Sequence, residues 1–175
     1  MYSAARAPAA PVPATLGRPG LGPARLGPPS LGQMAAGLAA SPGDWSRLVR
    51  FDPAHRWYHR LELADGYEVW LLTWLPGQET GFHDHGDAAG AFAVAYGELR
   101  ERTAAAGQPR VTSRAVRAGG VRSFGHEHVH DVSNPCPGPA VSIHAYSPPL
   151  AAMRRYDMTP AGLVQQATQN AEQDW

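Results

Sequence analysis

The sequence has one cysteine, Cys136, in 175 residues. A lone thiol excludes an internal disulfide and fits a reducing compartment. Neither sign of charge is in excess, since fifteen basic residues balance fifteen acidic ones. Nothing in that balance argues for a nucleic-acid or membrane partner. No apolar run reaches the ~18 residues of a membrane-crossing helix, and the N-terminus lacks the apolar core and charged flank of a secretory signal. A cytoplasmic, soluble chain acting as a monomer is the expectation. Its length allows one domain with a real core, plus a tail.

What the chain does have is nineteen glycines and seventeen prolines, unevenly placed. Residues 1–29 are mostly Ala, Pro, Gly and Arg, with a Leu-Gly pair every five residues from Leu16-Gly17 to Leu31-Gly32. A spacing of five fits neither helix nor strand, and the prolines disfavour both, so a disordered tail is expected. Ser30 reads as the N-cap of a helix with Leu31, Met34 and Leu38 on one face, ended by Pro42-Gly43. Asp44 reads as the cap of a shorter helix through Trp45, Leu48 and Val49.

Beyond Pro53 the pattern changes to strands. Trp57–Leu63 alternates, Asp65-Gly66 reads as a hairpin turn, and Tyr67–Trp74 follows as the second strand. Ala91–Ala95 and Glu98–Thr103 read as a strand pair around Gly97. Val111–Val116, Val121–Phe124, His128–Val132 and Ala140–Tyr146 are further extended runs. Many short strands with no long helices between them indicate an all-β sandwich or barrel over residues 30–160. Residues 161–175 read as a polar extension with a short helix and a loose end.

The chemistry concentrates in Gly77–Gly97. His83 and His85 are one residue apart, and alternation on an extended segment points both rings to one side. Imidazole suits iron, copper, zinc and nickel. A third ring is available from His126, His128 or His130, which share parity, so spacing alone does not choose among them. Three neutral rings without a carboxylate leave a metal its full charge and open positions for substrate.

The spacing from Gly77 through His83-Asp84-His85 to Gly97 resembles the first cupin motif, with Gly90 where a ligating Glu is usual. His130 and Asn134 resemble part of the second motif, and that likeness selects His130 as the third ligand. Ser142-Ile143-His144-Ala145-Tyr146-Ser147-Pro148-Pro149 resembles a segment of the cysteine dioxygenases, as do Trp74 before a Pro-Gly turn and Tyr58-His59-Arg60. The resemblance covers roughly residues 45–157.

It implies a double-stranded β-helix, or jelly-roll barrel, holding Fe(II) on His83, His85 and His130. The implied reaction adds both atoms of O2 to the sulfur of L-cysteine, giving cysteine sulfinic acid. Arg60 would hold the substrate carboxylate, and Arg56 is near enough in sequence to be confused with it. Ser142, His144 and Tyr146 would form a hydrogen-bond relay beside the metal. Tyr58 would support Arg60 or the carboxylate, and Trp74 would line the cavity. Mammalian-type members carry, at the position of Gly90, a cysteine cross-linked to the active-site tyrosine; bacterial-type members have Gly, as here. Ser147-Pro148 is a candidate cis peptide. Two alternatives stay open: a dioxygenase for another small thiol such as 3-mercaptopropionate, and a metal-binding cupin module without chemistry.

Overall fold

The computed structural model describes residues 25–105 and 110–170, so residues 1–24 of the expected tail and residues 171–175 lie outside the described residues. The described chain begins with helix α1 (Pro28–Ala39) and two 3-10 turns, Pro42–Asp44 and Ser46–Leu48. Then come β1 (Tyr58–Ala64), β2 (Tyr67–Trp74), β3 (Phe82–His83), β4 (Ala89–Tyr96), β5 (Glu98–Ala104) and β6 (Val111–Arg117). The order finishes with β7 (Val121–Phe124), β8 (His130–Ser133), β9 (Ala140–Ser147), β10 (Ala152–Thr159) and β11 (Gly162–Asn170). Among the described residues, no helix is long and apolar enough to cross a membrane.

Two antiparallel sheets face each other, in orders β1-β2-β9-β4-β7 and β11-β10-β3-β8-β5-β6. Strand alternation sorts the side chains of the first sheet into two cores. Trp70, Leu72, Trp74, Phe92, Val94 and Tyr146 point inward, where they meet Leu99, Val116 and Val132 from the second sheet. Val69, Leu71, Ala91, Ala93, Val141, Ile143 and Ala145 point outward and are covered by Leu31, Ala35 and Trp45. Every residue of β9 is therefore buried.

Several sequence expectations change. Ser30 does not cap α1, because Gly27 takes that position and Pro28 and Pro29 form the first turn, where a missing N–H breaks no helical hydrogen bond. Residues 25–29, read as the end of the tail, lead into the fold: Leu26 donates its N–H to Ser147 Oγ at 2.8 Å. Asp44 caps no longer helix, since the segment forms two single 3-10 turns separated by Trp45. The indole N–H of Trp45 donates instead to the Leu38 carbonyl at 2.8 Å. Residues 162–170 are neither helix nor loose end. They form β11, which pairs with β10 from Thr159↔Gly162 to Ala152↔Asn170.

The strands flanking Gly97 are not a pair. β4 pairs with β9 and β7, whereas β5 pairs with β6 and β8. Gly97 has φ of 78°, and a Cβ there would lie 2.6 Å from the Pro139 carbonyl oxygen. It is the point where the chain crosses between sheets, a conformation that suits glycine. The run expected over His128–Val132 starts only at His130, because the His128 N–H closes a turn on the Gly125 carbonyl.

Candidate functional site

The second sheet brings the three expected rings together. His83 on β3 stands directly opposite His130 on β8, and His85 follows in the turn after β3. Ring centroids are 4.9 Å apart for His83–His85, 4.8 Å for His83–His130 and 5.1 Å for His85–His130. All three side chains are buried, and their candidate ligand atoms lie within 4.8 Å of one another.

Hydrogen bonding decides which nitrogen each ring offers. His83 Nδ1 donates to the Gly81 carbonyl at 2.9 Å, and His130 Nδ1 donates to Glu101 Oε1 at 3.0 Å. Both rings are thereby left with Nε2 lone pairs, while His85 Nε2 is buried with no hydrogen-bond partner. Three buried acceptor nitrogens converging on one point fit a metal ion and leave a polar defect without one. Burial lowers the pKa of all three rings, most strongly at His83 and His85. The candidate ligand set is thus neutral, the form that metal binding requires.

Glu101 on β5 was not anticipated. It lies on the same strand face as Thr103, which stands opposite His130. Its carboxylate also accepts from His128 Nε2 at 3.1 Å and from Arg122 Nε at 2.5 Å. Burial alone would raise its pKa, but the hydrogen bonds from His128, His130 and Arg122 hold it well below the usual carboxylate range. Glu101, His128 and His130 form a second compact group, but its close approaches are hydrogen bonds that orient His130. His126 is largely exposed and outside both groups. The aspartates beside the ligands turn to the opposite face. Asp84 meets Arg154 and Tyr156, and Asp131 meets Arg102 and Thr80. Period-two alternation next to each ligand was the available signal for these two roles.

The first sheet contributes a hydrogen-bonded row along β9. Trp74 Nε1 donates to Ser142 Oγ at 2.9 Å, Ser142 Oγ is 2.9 Å from His144 Nε2, and His144 Nδ1 is 3.1 Å from Tyr146 Oη. An indole N–H can only donate. Ser142 therefore accepts from Trp74 and passes its own proton to His144 Nε2. His144 then donates from Nδ1 to Tyr146, which leaves the phenol its own O–H to donate. Burial lowers the His144 pKa and, with Glu68 adding and Arg56 opposing, raises that of Tyr146. Both groups stay neutral near pH 7. The Tyr146 ring centroid is 4.9 Å from that of His85, so this row ends beside the three histidines. Trp74, expected as cavity wall, is fully buried and anchors the row's far end.

Gly90 stands opposite both Tyr146 and Phe124. A Cβ there would lie 2.4 Å from Phe124 Cε2 and 2.9 Å from Tyr146 Cδ1. Phe124 thus occupies the space a larger residue would need, and it stacks on His85 at 5.1 Å. Cys136 lies elsewhere, half-buried near Glu98. Ser147-Pro148 is cis.

Arg56, just before β1, and Arg60, within it, differ. Arg60, opposite Trp70, has a side chain 38% exposed and lies 3.8 Å from Glu68 Oε2. Tyr58 sits edge-on to Trp70, with centroids 5.8 Å apart. Arg56 lies 4.9 Å over the Trp74 ring and donates from Nη1 to the Glu79 carbonyl at 3.2 Å.

Comparison with known proteins gives this geometry a family. The sequence profile described as cysteine dioxygenase type I matches residues 31–159. Cysteine dioxygenase type 1 of Danio rerio is 29% identical over 130 residues, covering 67% of this chain and 64% of that protein. The chain thus spans a little under two thirds of that relative's length. A Klebsiella pneumoniae protein described as having a double-stranded β-helix domain superposes with TM-score 0.51 at 18% identity, covering 70% of this chain and 93% of that one. A cupin superfamily protein from Desulfitobacterium hafniense superposes with TM-score 0.50 at 10% identity, covering 59% and 87%. The fold is the cupin double-stranded β-helix, and the profile match runs through it from α1 to the end of β10: the chain belongs to the cysteine dioxygenase type I family.

Proposed function

We propose that the protein is a thiol dioxygenase that joins O2 to the sulfur of L-cysteine to give cysteine sulfinic acid. The observation that carries this reading is the end of the Ser142–His144–Tyr146 row beside three neutral, buried histidines. A site that only stored a metal would have no use for an oriented phenol donor at its edge. Overall, both oxygen atoms end on sulfur, which is oxidised as O2 is reduced, so no further reductant enters.

His83, His85 and His130 would hold the metal, and Fe(II) there would supply a cation for thiolate and reactivity toward O2. The remaining roles belong to the chain. Neutral imidazoles leave the site's positive charge undiminished, which favours the thiolate form of the substrate. Glu101 fixes the His130 tautomer. Tyr146 Oη offers its proton toward the oxidised end of the substrate, and Trp74, Ser142 and His144 set the direction of that donation. Phe92, Phe124 and Trp74 keep the surroundings apolar, which strengthens these polar contacts. The family likeness names Arg60 and Tyr58 as the residues that would meet the carboxylate.

A second reading, with 3-mercaptopropionate as substrate, draws on the Arg60–Glu68 pair. That pair occupies the residue that favoured an α-amino acid. The experiment is anaerobic reconstitution with Fe(II), then O2 uptake with L-cysteine and with 3-mercaptopropionate, with products identified by mass. Uptake matched by cysteine sulfinic acid is the expected result. Uptake with 3-mercaptopropionate alone would transfer the activity to that substrate, and stoichiometric iron without uptake on any thiol would leave a metal-binding module.

A further inference from the structure

We propose that Arg56 is the principal anchor of the substrate carboxylate, its Nε–Nη2 edge forming the two-point contact that the family resemblance implies for Arg60. This assignment rests on the thiol-acid reading above and adds a specificity-determining residue to it.

The argument begins with a cation lacking an acid. Arg56 Nε is buried and has no hydrogen-bond partner. The one hydrogen bond recorded for the side chain runs from Nη1 to the Glu79 carbonyl, and no carboxylate lies within ion-pair distance among the described residues. Asp131 raises the Arg56 pKa from a distance, but its own partner is Arg102. A buried guanidinium N–H with no acceptor is costly, and such donors are ordinarily paired. With Nη1 committed, Nε–H and the neighbouring Nη2–H remain as the parallel donors of a side-on fork. That edge matches a carboxylate.

Its place in the fold also fits. The cation rests on Trp74, the same indole that donates to Ser142 at the head of the β9 row, so stacking fixes the guanidinium plane. Arg56 is close enough to influence His83, His144 and Tyr146 electrostatically, whereas Arg60 contributes to none of them. Burial, with Arg155 adding, lowers the Arg56 pKa to about 10, so it remains charged near neutrality. Arg60 also lies over an indole, that of Trp70, but it is exposed and faces Glu68. Of the two arginines, Arg60 thus has an acid beside it and Arg56 has none among the described residues.

The test is anaerobic titration calorimetry of the Fe(II)-reconstituted protein with L-cysteine and with cysteamine, which keeps thiol and amine but has no carboxylate. Wild type is compared with Arg56→Gln, Arg56→Lys and Arg60→Gln. The expected result is that Arg56→Gln weakens L-cysteine about 10- to 100-fold, that Arg56→Lys falls between, and that Arg60→Gln changes it less than about 3-fold. Cysteamine binding stays level throughout. Loss of cysteine and cysteamine together in the Arg56 variants, or a loss confined to Arg60→Gln, would overturn the assignment while the thiol reading stands. Wild type that binds neither thiol would overturn both.

Discussion

The two faces of β9 carry different duties in one eight-residue strand. Ser142, His144 and Tyr146 face the interior between the sheets, hydrogen-bonded in series and ending beside the histidines. Val141, Ile143 and Ala145 alternate with them and face α1, where contacts are purely apolar. The inward face concentrates neutral polar groups that burial makes sensitive to protonation, and the outward face has nothing to titrate. The chemistry is therefore held in place by a layer that takes no part in it. α1, lying over the back of the sheet, is what makes β9 an interior strand.

Acidification should separate the faces most strongly. In metal-free protein, burial lowers the pKa of His83, His85, His130 and His144 below the ordinary histidine value. Below about pH 6.5 the unfolded chain binds protons that the native rings refuse, so stability is full above that pH and lost as it falls. Each ring contributes up to about 1.4 kcal/mol per pH unit, giving a combined slope near 5 kcal/mol per unit. Urea denaturation at successive pH values reads it. A profile flat from pH 7 to pH 5 would mean that the rings do not stay neutral inside. Replacing His144 with Gln should remove about a quarter of the slope, whereas Ile143→Val should leave it unchanged.

Substitution sharpens the contrast. Tyr146→Phe should lower kcat about 100-fold or more with thiol substrate, since a positioned proton donor contributes 10²–10⁴, and should shift the Tm little. Ile143→Ala on the other face should cost about 2–5 kcal/mol of stability. Activity per folded molecule should remain within about 3-fold, because the lost contacts lie behind the sheet. Denaturation midpoints measured beside O2 uptake decide both. Equal activity losses in the two variants would show that the outward layer also positions the row.

Much of this arrangement could be read from residue order, because both signals are local. His83 and His85, and likewise Ser142, His144 and Tyr146, declare a shared face by alternation, and the turn at Asp65-Gly66 delimits β1 and β2. What could not be read depends on which strands meet. Nothing local says that β4 leaves Gly97 for one sheet and β5 for the other, so a crossover looked like a hairpin. His128 and His130 share parity, but the strand begins only at His130, which leaves His128 in the turn. Glu101 carries no motif; it matters because β5 lies beside β8. β11 escaped notice because a polar edge strand is held by backbone pairing with β10, which leaves a weak side-chain pattern. The contrast between Arg56 and Arg60 is likewise tertiary, set by Glu68 beside one and Trp74 beneath the other.

Glu101 offers the finest test, since it orients the candidate ligand His130 without belonging to the three-histidine set. Its Oε1 accepts from His130 Nδ1 and His128 Nε2, while Oε2 accepts from Arg122. Glu101→Gln preserves shape but replaces one oxygen with an NH2 donor. If the amide oxygen stays toward His130, its tautomer survives, but the charge is lost and the NH2 meets the Arg122 N–H that Oε2 accepted; if the amide turns, it faces the donor hydrogen of His130 and forces a repulsion or a tautomer change. Either way the ring becomes a poorer ligand, and metal affinity should fall about 10- to 100-fold. Competition with a chelator of known affinity measures this without any turnover. The outward face supplies the control, because Ile143→Val should leave metal affinity unchanged. Affinity unaltered in Glu101→Gln would mean that packing by Phe124, stacked at 4.8 Å on His128 and edge-on at 4.8 Å to His130, is sufficient to aim the ring.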